Sequence, residues 1–116
     1  MQAQYHSGTP VTCQYTAPGA ISAGDVVVFA SSLTRVSRYD IASGDKGTLD
    51  CGGALYYLPY SDNDIANGDA IWFDDTNNIV TDAATSGDGF FGYAVEDAGA
   101  SKTGYVLCHH QAYHAI

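Results

Sequence analysis

The densest group of side chains able to bind a metal ion lies near the end of the sequence. Cys108, His109 and His110 are consecutive, and His114 follows shortly after them. Thiolate and imidazole groups are good zinc ligands. In a strand Cys108 and His110 share one face, and a turn could bring His114 back to them. The spacing matches no standard zinc module and no second ligand pair stands elsewhere, so the alternative is a buried Cys108 beside surface histidines. We therefore predict no metal and no cofactor.

Acidic residues offer two further kinds of chemistry. Glu96-Asp97 is a carboxylate pair, but neighbouring strand residues point to opposite faces, which separates the two groups. Segments 62–64 and 74–78 carry oxygen ligands suited to calcium, yet they lack the spacing of an EF-hand loop, and turn formation also explains them. The chain has no Gly-x-Ser-x-Gly elbow and no glycine-rich phosphate loop. The sequence therefore predicts a protein that is not an enzyme.

Tyrosine is unusually frequent, with nine residues in a chain of 116. An amphipathic ring suits protein interfaces, where one end packs and the other stays wet. We predict that some of these rings, with the polar start of the chain, contact a partner; ordinary tyrosines on a sheet surface are the alternative. The candidate interface residues are Gln4, Tyr5, His6, Tyr56, Tyr57 and Tyr60.

Charge and cysteine content bound the class of partner. Thirteen acidic residues against four basic ones give a formal net charge of -9. Such a surface repels phosphate backbones and anionic lipid, and no apolar run approaches the length of a membrane span. We therefore predict no nucleic-acid binding and no membrane association.

The odd number of cysteines excludes a full disulfide framework and fits a reducing cytoplasm. These residues are Cys13, Cys51 and Cys108.

A repeated turn motif organises the rest of the chain. Ile-x-x-Gly-Asp occurs at residues 21–25, 41–45 and 65–69. Glycine adopts positive φ without steric cost, and the aspartate side chain bonds nearby backbone amides. Each copy therefore predicts a turn that leads into a strand. The strand over residues 25–30 is apolar on both faces, which predicts a central position, and the charged strand over residues 33–39 is predicted to lie at an edge.

The complete pattern predicts an all-β fold with little helix. It contains about eight to ten short strands, with turn signals every 8–12 residues or so, and no long helical period. A single small β-barrel or sandwich joined by Gly-Asp turns has this pattern. Residues 11–116 are predicted to be one β domain, and residues 1–10 a flexible N-terminal arm.

The order of these elements resembles one known protein family. Segments 17–28, 41–47, 65–74 and 91–96, the first three with a Gly-Asp element, are similar in succession to the capsid cement, or decoration, proteins of tailed bacteriophages, a family also called DUF2190. The likeness runs from about Thr12 to the last strand. Some members carry a label as RecA-like recombinases, but the missing phosphate loop and the acidic charge argue against that activity here.

The resemblance implies a non-catalytic β protein that binds the outer surface of the expanded phage head. It would stabilise the head by bridging subunits of the major capsid protein, and it would itself be a homo-oligomer, a trimer or a dimer. Its location would be the virion, after production in the host cytoplasm. The shared pattern marks turns and strands and assigns no site residue. The alternatives are a carbohydrate- or receptor-binding β module on a virion, for which an exposed Trp72 would matter, and a metal-dependent enzyme that uses the histidines.

Overall fold

The computed structural model describes residues 3–29, 33–60, 65–82, 89–98 and 104–111, which form strands, turns and bends without a helix. Those ranges accordingly contain no helix with the length and apolar character that a bilayer crossing requires. The strands are β1 (Gln4–Ser7), β2 (Val11–Thr16), β3 (Val26–Phe29), β4 (Leu33–Val36), β5 (Lys46–Gly52), β6 (Leu55–Pro59), β7 (Ala70–Asp74), β8 (Ile79–Thr81), β9 (Gly89–Ala94) and β10 (Tyr105–His110).

The strands form two antiparallel sheets. The larger sheet has the order β1-β6-β10-β9-β7-β8, and the smaller one has the order β2-β5-β4-β3. One isolated parallel bridge, between Tyr60 and Val80, also connects the end of β6 with β8. The two sheets remain separate and pack as a sandwich. The prediction of an all-β fold with eight to ten short strands is confirmed, and of the two predicted architectures the sandwich is the one found.

The start of the chain is part of the larger sheet. The sequence predicts a flexible arm over residues 1–10, whereas residues 4–7 of that segment form β1 at the sheet edge. Gln4 pairs with Tyr57 and Tyr5 pairs with Tyr56 in the neighbouring strand β6. The aromatic side chains supply the physical reason, because the Tyr5 ring packs edge-on against Tyr56 at 6.0 Å. The flexibility of the remaining arm and the domain boundary at residue 11 stay predictions.

The predicted Gly-Asp turns are present, and the first and third are closed by their own aspartate side chains. Asp25 Oδ2 accepts a hydrogen bond from Ser22 N at 2.9 Å, and Asp69 Oδ2 accepts one from Ala66 N at 2.9 Å. The three turns lead into β3, β5 and β7. Each turn has a glycine in the left-handed region, as predicted; these are Gly24 (φ 93°), Gly44 (φ 84°) and Gly68 (φ 96°).

The position of β3 within its sheet differs from the prediction. The sequence predicts a central strand, but β3 lies at the edge and β4 lies between it and β5. Val26 and Val28 pack in the main core between the sheets, whereas Val27 and Phe29 pack against a second apolar cluster on the opposite face. The strand that contains Arg35 is predicted from the sequence to be a charged edge strand. The guanidinium carbon of Arg35 instead lies over Phe29, 4.8 Å from the centre of the ring. Apolar residues on both faces therefore reflect two packed layers and not a central position.

A buried histidine joins the two sheets. His110 of β10 is fully buried, and its Nε2 lies 2.9 Å from the carbonyl oxygen of Thr34 in β4. The Thr34 hydroxyl lies 3.2 Å from the same nitrogen and donates to the carbonyl oxygen of Phe90 at 2.9 Å. Burial lowers the pKa of His110 to about 4. The ring is therefore neutral near pH 7, which suits an interior position between two sheets.

Acid should destabilise this fold through His110. The pKa is about 4 in the folded chain against an ordinary 6.5, so the unfolded chain binds the extra proton between these values. The neutral ring contributes fully to the free energy of unfolding above about pH 6.5. About 3 kcal/mol of that free energy is lost as the pH falls towards 4. Urea unfolding across this range measures the loss. The variant His110→Gln should lack this part of the pH dependence and His109→Gln should keep it; the same slope in both variants would contradict the assignment.

Gly92 lies where two backbones come unusually close. A Cβ built on it would stand 1.8 Å from the carbonyl oxygen of His109 in the paired strand β10. The substitution Gly92→Ala should therefore destabilise the fold by about 3 kcal/mol or more. Gly19→Ala is the matched control, because nothing lies within 4 Å of its added methyl group. Thermal unfolding compares the two variants, and equal melting temperatures would show that the strands separate at little cost.

Candidate interaction surface

The residues considered as metal ligands are not gathered at one place in the described part of the chain. Cys108 and His110 are buried on one face of β10, and His109 lies on the other. The Cys108 thiol is directed to the carbonyl oxygen of Val106 at 3.7 Å, and burial raises its pKa to about 12. His114 lies outside the described residues. Within the described ranges, no three His, Cys, Asp or Glu side chains are placed to hold a metal ion.

Two of the acidic residues considered for catalysis or calcium binding accept hydrogen bonds that stabilise the fold, Asp74 in a turn and Glu96 from the strand β10. Asp74 accepts hydrogen bonds from Thr76 N and from Asn77 Nδ2, both at 2.9 Å. The side-chain bond from Asn77 is the main cause that lowers the pKa of Asp74. Glu96 Oε2 accepts a bond from Leu107 N at 3.1 Å. The other segment considered for calcium binding, over residues 62–64, lies outside the described residues.

The buried carboxylate of Asp50 bonds to the other sheet and pairs with an arginine that reaches the surface. Asp50, on the inward face of β5, accepts a hydrogen bond from the hydroxyl of Tyr56 in β6. Arg38 Nε lies 2.8 Å from the same Asp50 oxygen, and 28% of the arginine side chain remains exposed. Burial, and then the hydrogen bond to Asp50, raise the pKa of Tyr56 well above its ordinary value. The phenol therefore stays a donor at neutral pH, and the ion pair fixes where Arg38 reaches the surface.

Two exposed tyrosines flank this arginine. The guanidinium carbon of Arg38 lies 4.8 Å from the ring centre of Tyr5 and 5.9 Å from that of Tyr39. Tyr5 is 44% exposed and Tyr39 is 60% exposed, which places both among the most exposed large apolar side chains described. The Tyr5 hydroxyl donates to the carbonyl oxygen of Gly8. Cation–π attraction of this kind is worth about 0.5–1 kcal/mol at exposed sites and favours contact of the rings with the guanidinium group. We call Tyr5, Arg38 and Tyr39 the tyrosine–arginine surface.

A cavity of about 280 Å³ opens beside the tyrosine–arginine surface. Its floor is held by backbone hydrogen bonds from Ala3 N to Gly24 O at 2.8 Å and from Gly24 N to Ser37 O at 2.7 Å. The first Gly-Asp turn thus connects β1 to the segment that follows β4. A rigid, mostly apolar recess with one guanidinium suits an apolar side chain that has a hydrogen-bond acceptor beside it. The lining residues are Ala3, Tyr5, Ala23, Gly24, Val36, Ser37, Arg38, Tyr39 and Tyr56.

The structure divides the predicted interface residues by exposure. Tyr5 and His6 are exposed on β1, and the His6 ring packs edge-on against Tyr57 at 5.4 Å. Tyr56 is fully buried and supports the surface from below through Tyr5 and Asp50. Contact of these residues with a partner stays a prediction. The other candidates are half-buried; they are Gln4, Tyr57 and Tyr60.

Sequence reasoning missed the residues that complete this surface. Arg38 belongs there to a charged strand predicted to lie at a sheet edge, Tyr39 is one of the nine tyrosines but not a named interface candidate, and Asp50 is given no role. The signal that could have pointed to Arg38 is the scarcity of basic residues. The chain has four basic residues and a net charge of -9, so each arginine is a candidate for a specific ion pair. Trp72, the candidate sugar platform, is half-buried and packs edge-on against Phe90 at 5.6 Å.

The described residues form a small β-sandwich with an aromatic recess around one arginine. The family model for phage cement proteins matches residues 5–109. The chain therefore belongs to the phage cement protein family, a structural family associated with the virion capsid, as the sequence resemblance indicated. No curated protein and no solved structure matches the chain.

Removal of the Tyr56 hydroxyl should weaken the fold. In the variant Tyr56→Phe, the buried Asp50 loses a donor and keeps its desolvation penalty, which costs about 1–3 kcal/mol. Tyr93→Phe is the matched control, because Tyr93 is 40% exposed; we expect a change of about 0.5 kcal/mol or less there. Urea unfolding near pH 7 measures both. Equal stability of the two variants would mean that Asp50 finds another donor.

Proposed function

We propose that this protein is a capsid cement protein that binds the outer surface of the expanded phage head and bridges neighbouring subunits of the major capsid protein. Membership of the phage cement family supports a capsid-associated role. The observation that carries the proposed contact is the tyrosine–arginine surface, where Tyr5 and Tyr39 stand exposed on either side of Arg38. We further propose that the protein acts as a homo-oligomer, a trimer or a dimer.

The composition and the rigidity of this surface suit a protein interface. Tyrosine and arginine are the side chains most often found to dominate binding energy, particularly where they surround a pocket. Arg38 is held from below by Asp50, so its position is set before a partner arrives. Such preorganisation reduces the conformational entropy that is lost on binding. A capsid side chain seated in the recess would contact both rings and the guanidinium group.

The proposed mechanism is the mechanical support of a shell under internal pressure. A ligand that binds only the assembled state stabilises that state by mass action. Each cement protein that spans two capsid subunits adds buried interface between them, and many copies on one head act together through multivalency. The net charge of -9 does not oppose this arrangement, because the outer surface of the head is separated from the packaged DNA.

Binding to heads tests the proposal directly. Purified protein should co-sediment in a saturable manner with expanded heads that lack it, and it should raise the temperature at which those heads are disrupted. The variant Tyr39→Ala should reduce the affinity by about 10-fold or more, as loss of an interface hot spot does. Tyr93→Ala is the matched control, because Tyr93 is a tyrosine of 40% exposure outside the recess. It should bind as the wild type does.

Two outcomes would contradict parts of this proposal. Absence of binding by the folded wild-type protein would remove the cement function. Wild-type binding by Tyr39→Ala, together with weakened binding by a variant elsewhere on the surface, would keep the function and remove the tyrosine–arginine surface as the contact. Urea unfolding of each variant separates a loss of binding from a loss of folding.

A further inference from the structure

Two cysteines meet on the smaller sheet, in neighbouring strands. In the ladder between β2 and β5, Cys13 lies opposite Leu49. The register then shifts, because Thr12 pairs with Asp50 and Val11 pairs with Gly52. Cys51 is therefore an extra residue of β5 with no direct partner in β2. This arrangement is a β-bulge, which disrupts the ladder locally and redirects side chains.

The thiols of these cysteines lie on the same side of the ladder. Cys13 packs against the apolar cluster that contains Leu49, and the Sγ atom of Cys51 lies 3.8 Å from the carbonyl oxygen of Leu49. Burial, followed by a side-chain hydrogen bond with Cys13, raises the pKa of Cys51 to about 11. Both residues are half-buried and within reach of small reagents, whereas Cys108 is fully buried on the larger sheet.

The bulge changes the spacing between the two cysteines. Diagonal neighbours in a regular antiparallel ladder have Cα atoms about 7–8 Å apart, which exceeds the span of most disulfides. Here three residues of β5 (50–52) stand against two residues of β2 (11 and 12), so Cys51 lies closer to Cys13 along the ladder than a regular diagonal neighbour would.

We propose that Cys13 and Cys51 are a modification site, at which a small-molecule disulfide such as oxidised glutathione converts the two thiols into an intramolecular disulfide. One cysteine thiolate attacks a glutathione sulfur and releases one glutathione thiolate. The second cysteine, after losing its proton, attacks the protein sulfur of the mixed disulfide and releases the other glutathione. Two protein thiols are oxidised, and one glutathione disulfide is reduced to two glutathione thiols.

The new bond would act at an edge of the smaller sheet. β2 is an edge strand that pairs only with β5, and its first residue, Val11, is 68% exposed. A link from Cys13 to Cys51 fastens this edge at the bulge, where the ladder is interrupted. Cytoplasmic glutathione and thioredoxin keep thiols reduced, whereas virion surfaces are exposed to oxidising conditions. Because the chain belongs to a virion family, the link would form after release of the particle.

The experiment uses the folded, full-length protein and oxidised glutathione near pH 8.5, with thiols counted after denaturation. The number of free thiols should fall from three to one, with a loss of two hydrogen atoms in mass and a peptide that joins Cys13 to Cys51. The melting temperature should rise by roughly 5–10 °C. Cys108→Ser should still form the link. Cys13→Ser and Cys51→Ser should form none and should show no such rise.

Three results would overturn the proposal. They are the retention of three free thiols, a stable glutathione adduct on one cysteine, and a disulfide between two copies of the chain. None of these readouts depends on capsid binding. The thiol assay and the head-binding assay can therefore fail separately, which keeps this site distinguishable from the proposed function.

Discussion

The hydrogen bond between Tyr56 and Asp50 is the contact on which the rest of the structure depends. It joins β6 of the larger sheet to β5 of the smaller one between two buried residues. A buried carboxylate is costly unless it is bonded, so it favours the one arrangement of the two sheets that satisfies it. Arg38, the second partner of Asp50, carries this constraint to the surface. A second interior contact, from His110 to Thr34, lies close by, since the rings of Tyr56 and His110 are 5.9 Å apart.

Local interactions explain which features the sequence could predict. A Gly-Asp turn is closed by an aspartate and an amide a few residues apart, as in the bond from Ser22 N to Asp25, so its sequence contains the whole interaction. Alternation of apolar residues likewise predicts strands, because adjacent side chains must point to opposite faces. The all-β class, the strand number and the three turns therefore followed from the residues alone, and the succession of these turns was enough to indicate the family.

Pairing between residues far apart in the chain explains which structural features could not be predicted from the sequence. Tyr5 and Tyr39 meet over Arg38 only because β1 joins β6 and because the first Gly-Asp turn connects β1 to the segment after β4. Neither of these two long-range contacts produces a local pattern in the amino-acid sequence. The same reason explains the edge position of β3, since apolar residues on both faces are compatible with a central strand and with two packed layers. The meeting of Cys13 with Cys51 depends on a register shift, which a single sequence does not show.

The order of strands in the larger sheet also constrains when the protein can fold during its synthesis. β6 lies between β1 and β10, so a strand from the middle of the chain has one neighbour from the beginning and one from the end. This sheet cannot be complete before β10 has left the ribosome. Until then β6 has an unpaired edge next to the apolar residues of the core, a state that is prone to association with other chains. Such non-local pairing makes folding slow relative to helical proteins of similar length.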